Sequence, residues 1–394
     1  MACFVGPGAQ AVGRTGGRYH PRAGPVGSGV RRSEETAVTI TETRTTATAE
    51  TASPLTRQDL VGTVFGAAAF QALNAGCELG LFALLNGEPG LTEEEIASRL
   101  DLRPRPTRIL LLATTALRLT SLDGGRYRNA ELIDSLFADG TWEIITDMVA
   151  FEAHIVYEAQ ADFTASLRAD TNVGLRRFAG EGEDLYHRLA ARPDLERLFY
   201  RCMRSWSRLS NPILVDKADL TGVRRVLDVG GGDGVNAIAL ARANPNVEFT
   251  VLDLPGAGAI AERKIAEAGL SDRITVAEGD IFDDDYPEGY DCVLFANQLV
   301  IWSAEQNLRL LRKAHRALAD GGRVLVFNAM SDATKDGPLY AALDNVYFAT
   351  LPAAQSTLYD WGQYEQWLTE AGFSRVERRP GETWTPHGVI SGVK

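Results

Sequence analysis

Cysteine is scarce in this chain: Cys3, Cys77, Cys202 and Cys292 are the only four in 394 residues. They follow no metal-ligand spacing, which excludes a thiolate metal centre, and they are too few and scattered for a disulfide framework. With Cys292 inside an expected core strand, they read as reduced thiols of a cytoplasmic protein. Long apolar runs are missing as well. No stretch approaches the roughly 18 apolar residues of a membrane span, although 45% of the residues are hydrophobic, so no membrane partner is expected. Basic residues are outnumbered, with 40 Lys and Arg against 52 Asp and Glu and a net charge of -12. Phosphate binding needs concentrated Lys and Arg, so nucleic acid is not the expected partner. No internal repeat is evident, and the length leaves room for two domains and a large core.

The first 56 residues lack large apolar side chains and carry runs such as Thr45-Thr46-Ala47-Thr48-Ala49-Glu50-Thr51. Such a composition predicts a disordered tail. Its five arginines up to Arg32 resemble a targeting peptide in charge, yet there is no apolar signal-peptide core. A plain flexible tail, or an over-long start to the chain, is the blander expectation.

The most informative segment is Val226-Leu227-Asp228-Val229-Gly230-Gly231-Gly232-Asp233-Gly234, an apolar strand ending in an acid and a glycine turn, followed by a helical pattern. Gly230, Gly232 and Gly234 let a ligand lie against bare peptide groups. No Lys-Ser/Thr pair follows, so the turn is not a P-loop. Asp228 and Asp233 would repel a dinucleotide pyrophosphate at the helix start. S-adenosylmethionine (SAM) has no phosphate and carries an ammonium and a sulfonium, which carboxylates suit. The following chain repeats this logic. Asp253 closes the strand Glu248 to Leu254, 25 residues beyond Asp228 (253 minus 228), at the spacing of a ribose-binding acid. Asp280 follows a third strand where a carboxylate can meet the adenine amine, with Ile281 and Phe282 placed to cover the ring. A fourth strand, Tyr290 to Asn297, empties where a methyl acceptor would sit. Each acid alone reads equally well as a cap or turn residue; three at successive strand ends point to a site.

Residues 57–220 are helical in pattern, and residues 221–394 alternate strands and helices as in a doubly wound sheet. Helices are expected at Val64 to Leu85 and Leu132 to Leu167. Within the first part, Leu91 to Leu100, a turn at Arg103 to Pro106, a helix Thr107 to Leu119 and a hairpin ending Gly124-Gly125-Arg126-Tyr127 follow the plan of a winged helix. Thr92 and Glu95 make a capping box. The helix that would read DNA is apolar on most of its surface, whereas groove recognition needs an exposed polar and basic face. It is expected to pack against a second subunit, giving a homodimer.

At this point the chain resembles the SAM-dependent methyltransferases of the plant caffeic-acid and bacterial antibiotic O-methyltransferase type, over about residues 60–394. The motifs that carry the likeness are Asp228 to Gly234, Asp253-Leu254-Pro255, Asp280 and Ala371-Gly372-Phe373. The resemblance implies an α/β fold, a Rossmann-like SAM-binding doubly wound sheet with an N-terminal helical winged-helix dimerisation domain. It implies SAM contacts from Asp228, Gly230, Gly232, Asp253, Leu254, Asp280, Ile281 and Asn297. It also implies an acceptor pocket lined by Phe199, Met203, Val300, Asp344, Tyr347 and Tyr359. No metal is implied.

The departures are as informative. Where the family has Leu-His-Asp-Trp, with the His as general base, this chain has Leu299-Val300-Ile301-Trp302. The flanking acids become Asn328 and a position near Leu358 or Tyr359, and a strand Lys becomes Ala296. A phenol with a pKa near 10 gains little nucleophilicity at neutral pH without a base. The expectation is therefore a methyltransferase of secondary metabolism, in antibiotic biosynthesis, that places methyl on carbon or nitrogen of a small aromatic precursor. The alternatives are an O-methyltransferase with a relocated base, or a SAM-binding enzyme that does not methylate. Asn297 and Trp302 are expected at the reacting centre, and His154 or His187, in the helices over the pocket, as the base. His20 and His315 read as solvated, and His387 as structural.

Overall fold

The computed structural model describes residues 54–189, 191–381 and 385–394; the expected tail lies almost wholly outside them. Helices occupy the first part: Arg57–Val64, Gly66–Glu78, Leu81–Gly87, Glu93–Arg99 and Pro104–Ala116, then a hairpin of β1 (Thr120–Asp123) and β2 (Arg126–Asn129). Thr92 and Glu95 form the expected reciprocal cap. Gly124 and Gly125 both take positive φ, as the two-residue hairpin turn requires. The helix expected over Val64 to Leu85 is broken in two places, at Phe65 and at Gly80, whose left-handed φ of 76° ends one helix and starts the next. The pattern from Leu132 to Leu167 is likewise divided: Gly140 turns at positive φ, and the helix Trp142–Phe151 runs into a π-helical turn, Glu152–Val156. Apolar periodicity fixes which face is buried but is blind to such local breaks.

The second part is a seven-stranded sheet. Its strands are β3 (Arg225–Val229), β4 (Glu248–Asp253), β5 (Ile274–Glu278), β6 (Tyr290–Ala296), β7 (Leu318–Ala329), β8 (Ser374–Pro380) and β9 (His387–Val393). The order is β5-β4-β3-β6-β7-β9-β8; β5 through β7 run parallel, and β9 pairs antiparallel with both β7 and β8. Alternation along β3 sends Val226 to one face, with Phe249, Leu294, Phe327 and the helix residues Ile213, Leu214 and Leu240. It sends Leu227 and Val229 to the other, with Val293, Phe295, Leu311, Tyr364 and Trp367. A sheet covered by helices on both faces is the doubly wound architecture.

From β3 the chain steps outward to β4 and β5; from β6 it steps the other way to β7. The reversal lies between β3 and β6, and ligands bind in open α/β sheets at the carboxyl ends of the strands flanking such a reversal. The helix Pro193–Lys217 packs over one sheet face with its carboxyl end and enters a separate aromatic cluster with its amino end. It thereby places helical-domain side chains next to the strand ends. Among the described residues, no single helix is long and apolar enough to cross a membrane.

Candidate active site

The turn after β3 is built on left-handed glycines: Gly230, Gly232 and Gly234 have φ of 67°, 58° and 77°. Gly230 donates its N–H to the Leu252 carbonyl at 2.8 Å. A Cβ built on Gly230 would lie 1.8 Å from Gln298 Nε2, so the Gln298 amide, just past β6, lies directly against the turn. In the sequence, Gln298 is marked only by its place after the fourth strand, next to Asn297. Trp302 Nε1 donates to Gln298 Oε1 at 3.2 Å and fixes that amide.

The strand-end acids have different jobs. Asp253 accepts the Gly232 N–H at 2.8 Å and the Leu254 N–H at 2.7 Å, which ties the second strand end to the glycine turn. Burial raises its pKa against those two donors. Leu254 beside it is half exposed, an apolar side chain left at the crevice. Asp280 accepts from the N–H groups of Phe282 and Asp283 at 2.7 and 3.1 Å, so it also shapes its own turn. The Ile281 carbonyl accepts from Lys313. Asp233 is paired with Lys264.

Asp228 stands apart. It is fully buried and neither carboxyl oxygen has a hydrogen-bond partner. Burial pushes its pKa up to about 7, with the charges of Asp253 and Asp233 adding to the rise. A buried polar group without a partner is costly, and a cation delivered by a ligand would relieve it. The orphaned carboxyl, the bare-peptide turn and the absence of a phosphate-seeking lysine fit SAM and do not fit a nucleotide phosphate.

Beyond the crevice lies an aromatic cluster. Phe151 packs on Phe199 and on Tyr347 at ring-centroid distances of 6.1 and 5.4 Å, Tyr186 closes on Phe199, and Trp206 meets Tyr340 at 5.7 Å. Met203 packs against the same cluster. Of the expected pocket residues, Phe199, Met203 and Tyr347 therefore come together, and Asp344 joins through the Tyr340 hydroxyl, 3.3 Å from its Oδ2. Val300 lies in an adjoining buried cluster with Ala329, Ala341 and Leu358. Tyr359 does not join that cluster: its hydroxyl donates to the Trp302 carbonyl at 2.8 Å and its ring packs on Trp367. Trp302 faces Phe282 at 4.9 Å, on the side of the strand-end acids. Asn297 takes a left-handed φ of 55° and its N–H donates to the Phe327 carbonyl.

The histidines expected as bases sit elsewhere. His154 Nε2 lies 3.3 Å from Glu78 and its side chain is half exposed. His187 Nδ1 lies 2.8 Å from Asp184, with 69% of its side chain exposed. Both are surface residues, each beside a carboxylate. His315, expected in solvent, packs on Phe373 and is partly buried. His387 opens β9 and is buried, and burial lowers its pKa to about 4.

Two partly buried carboxyls, Glu152 and Asp344, lie beside the aromatic cluster. Glu152, on the π-helical turn, is pushed up to about 7 by burial and by the charge of Asp344. Asp344 is raised to about 6 by burial, against the Tyr340 hydrogen bond. Among the described residues, no ion pair reaches either one.

A family model of the O-methyltransferase domain matches residues 160–374, and one of the O-methyltransferase dimerisation domain matches residues 61–139. An L-tyrosine C(3)-methyltransferase of Streptomyces lavendulae is 52% identical over 87% of this chain and 94% of its own. A 3-hydroxy-5-methyl-1-naphthoate 3-O-methyltransferase of Streptomyces sahachiroi is 34% identical over 82% of this chain and 91% of its own. The crystal structure of the S-adenosylmethionine-dependent methyltransferase SibL in its apo form is 57% identical, superposes with a TM-score of 0.78, and covers 85% of this chain and 98% of that one.

Proposed function

The chain belongs to the SAM-dependent O-methyltransferase family with an N-terminal dimerisation domain, and from that premise we propose that it methylates a ring carbon of a small phenolic amino acid of the tyrosine type. SAM supplies an electrophilic methyl group on a sulfonium. The chain's own residues align, desolvate and hold.

The observation that carries the proposal is the packing around Val300. The family's base position is occupied by a buried side chain among Ala329, Ala341 and Leu358. Asn328, at the position of the family's flanking acid, is engaged elsewhere: its Nδ2 donates to the Tyr364 hydroxyl at 3.0 Å. Neither Val300 nor Asn328 can take a phenolic proton by the family's usual route. A ring carbon ortho to a hydroxyl is nucleophilic without complete prior ionisation of that hydroxyl. As the carbon–methyl bond forms, the sulfur–methyl bond breaks, and the ring hydrogen at that carbon then leaves as a proton to restore aromaticity. The L-tyrosine C(3)-methyltransferase at 52% identity supports the same acceptor class.

In this reading Asp228, Gly230, Gly232, Asp253, Leu254, Asp280 and Ile281 hold the cofactor, with Gln298 added from the structure. Phe199, Met203, Val300 and Tyr347 shape the acceptor chamber. The enzyme is a homodimer: Val61, Val64, Phe65, Ile109 and Leu112 of the dimerisation domain are exposed in the single chain, Leu112 by 70%, and a second copy would cover them.

The test is mass spectrometry of the product from L-tyrosine deuterated on the ring. Ring methylation adds a methyl and loses one deuterium. Retention of all ring deuterium in a methylated product would assign the methyl to oxygen or nitrogen and overturn the proposal.

A further inference from the structure

We propose, on the premise of the ring methylation put forward above, that His387 takes the ring proton: its imidazole, carried on β9 beside the cluster that holds Val300, receives the hydrogen that the methyl group replaces.

Strand register brings this side chain to Val300. His387 stands opposite Ala329 in the antiparallel pair of β7 and β9. The Met330 N–H donates to the Pro386 carbonyl at 2.9 Å, while the His387 carbonyl accepts the Gly381 N–H at 2.9 Å, from the β8 side. Hydrogen bonding alternates along an antiparallel ladder, so His387 and Ala329 form a non-bonded pair, the kind whose Cα atoms come within about 4.5 Å and whose side chains lie closest on one face. Ala329 in turn packs with Val300, Ala341 and Leu358, and Tyr340 and Phe348 pack on that group. Phe348 also packs on the aromatic cluster of Phe199 and Tyr347. One continuous set of contacts therefore runs from β9 through Val300 to the expected acceptor residues.

The fold makes no polar use of this ring. His387 is 7% exposed, its Nδ1 has no partner, and no hydrogen bond or ion pair reaches the imidazole among the described residues. It packs on Phe327 with ring centroids 5.3 Å apart. His154 and His187 each lie beside a carboxylate; His387 has none. A buried imidazole without a hydrogen bond is costly, and a proton-donating substrate would relieve that cost. Burial lowers its pKa to about 4, so the ring is neutral and keeps a free lone pair at neutral pH.

So weak a base cannot ionise a phenol, whose pKa is near 10, and this separates ring methylation from oxygen methylation. When the ring carbon attacks, the carbon–methyl bond forms and the sulfur–methyl bond breaks, which leaves a positively charged ring whose attacking carbon bears both methyl and hydrogen. The carbon–hydrogen bond then breaks, its electron pair restores aromaticity, and the proton goes to the unprotonated ring nitrogen of His387. A charged ring of this kind is a far stronger acid than a phenol, so a weak base suffices. The buried imidazolium is itself acidic and passes its proton to water.

The experiment measures turnover of L-tyrosine, ordinary and ring-deuterated, by full-length wild type, His387→Asn and His387→Ala. Asn is polar but cannot take a proton. Both variants should fold, by thermal melt, and bind S-adenosylhomocysteine as wild type does, by calorimetry. Their kcat should fall about 10²- to 10⁴-fold, and ring deuterium should slow them more than it slows wild type, because breaking the carbon–hydrogen bond becomes the slow step. A structural histidine would lower stability and turnover without raising the isotope effect. An unchanged isotope effect, turnover within about threefold of wild type, or failure of both variants to fold overturns the role of His387. If wild type releases ring deuterium and His387→Asn turns over normally, only that role falls; if ring deuterium is retained, or L-tyrosine is not methylated, ring methylation falls with it.

Discussion

Replacing Asp228 with Asn changes one atom and should separate stability from function. In the free enzyme the Asp228 carboxyl is raised from 3.8 to about 7 by burial and by its acidic neighbours. The folded protein then keeps a proton that the unfolded chain releases as pH rises above 4. Stability from this group is therefore present at low pH and lost between about pH 4 and pH 7. At 1.36 kcal/mol per pH unit the loss is at most about 4 kcal/mol at pH 8. Asn has the same shape and no charge to desolvate, so the free variant should melt above wild type at pH 8, with the gap closing by pH 5. Cofactor binding should move the other way. The ionised fraction of Asp228 falls from about one half at pH 7 to about one thirtieth at pH 5.5, so wild-type affinity for S-adenosylhomocysteine should drop about fifteenfold over that range. The variant should bind weakly and show little pH dependence. Calorimetry and melting curves on the two proteins supply both readouts. If Asp228→Asn binds as tightly as wild type, or destabilises the free protein at pH 8, the orphaned carboxyl is not the group that meets the ligand's cation.

Gly230→Ala should destabilise the fold by about 1–3 kcal/mol and weaken S-adenosylhomocysteine binding, since the new Cβ meets Gln298 in a left-handed backbone; an unchanged melt and affinity would refute the contact. Val300→His should lower turnover and stability, by about 1–3 kcal/mol, because an imidazole overfills the cluster with Leu358 and Ala341; a gain in ring-methylation rate would show that the apolar floor is no part of the mechanism. His154→Ala and His187→Ala should retain turnover, since each imidazole faces solvent and a surface carboxylate; a loss of about a hundredfold or more in kcat for either would restore it as a base. Leu112→Asp should turn the dimer into monomer by light scattering, and a persistent dimer would place the interface elsewhere.

Several features were legible in the sequence because they are local. The glycine turn, the capping box at Thr92 and the helix Trp361–Glu370 each depend on residues a few positions apart, and alternating burial along β3 and β6 follows from the two-residue period of a strand. The absence of a base at Val300 was equally plain, because an alkyl side chain cannot accept a proton in any surroundings. Tertiary structure decided the rest. Gln298 meets Gly230 only because β3 and β6 are neighbours in the sheet although about 70 residues separate their loops. Tyr359 was expected in the chamber and turns instead to Trp302, since helix and strand ends set its direction. Glu152 and Asp344 are ordinary acids on paper, almost 200 positions apart. Burial, which no local pattern encodes, raises both of their pKa values.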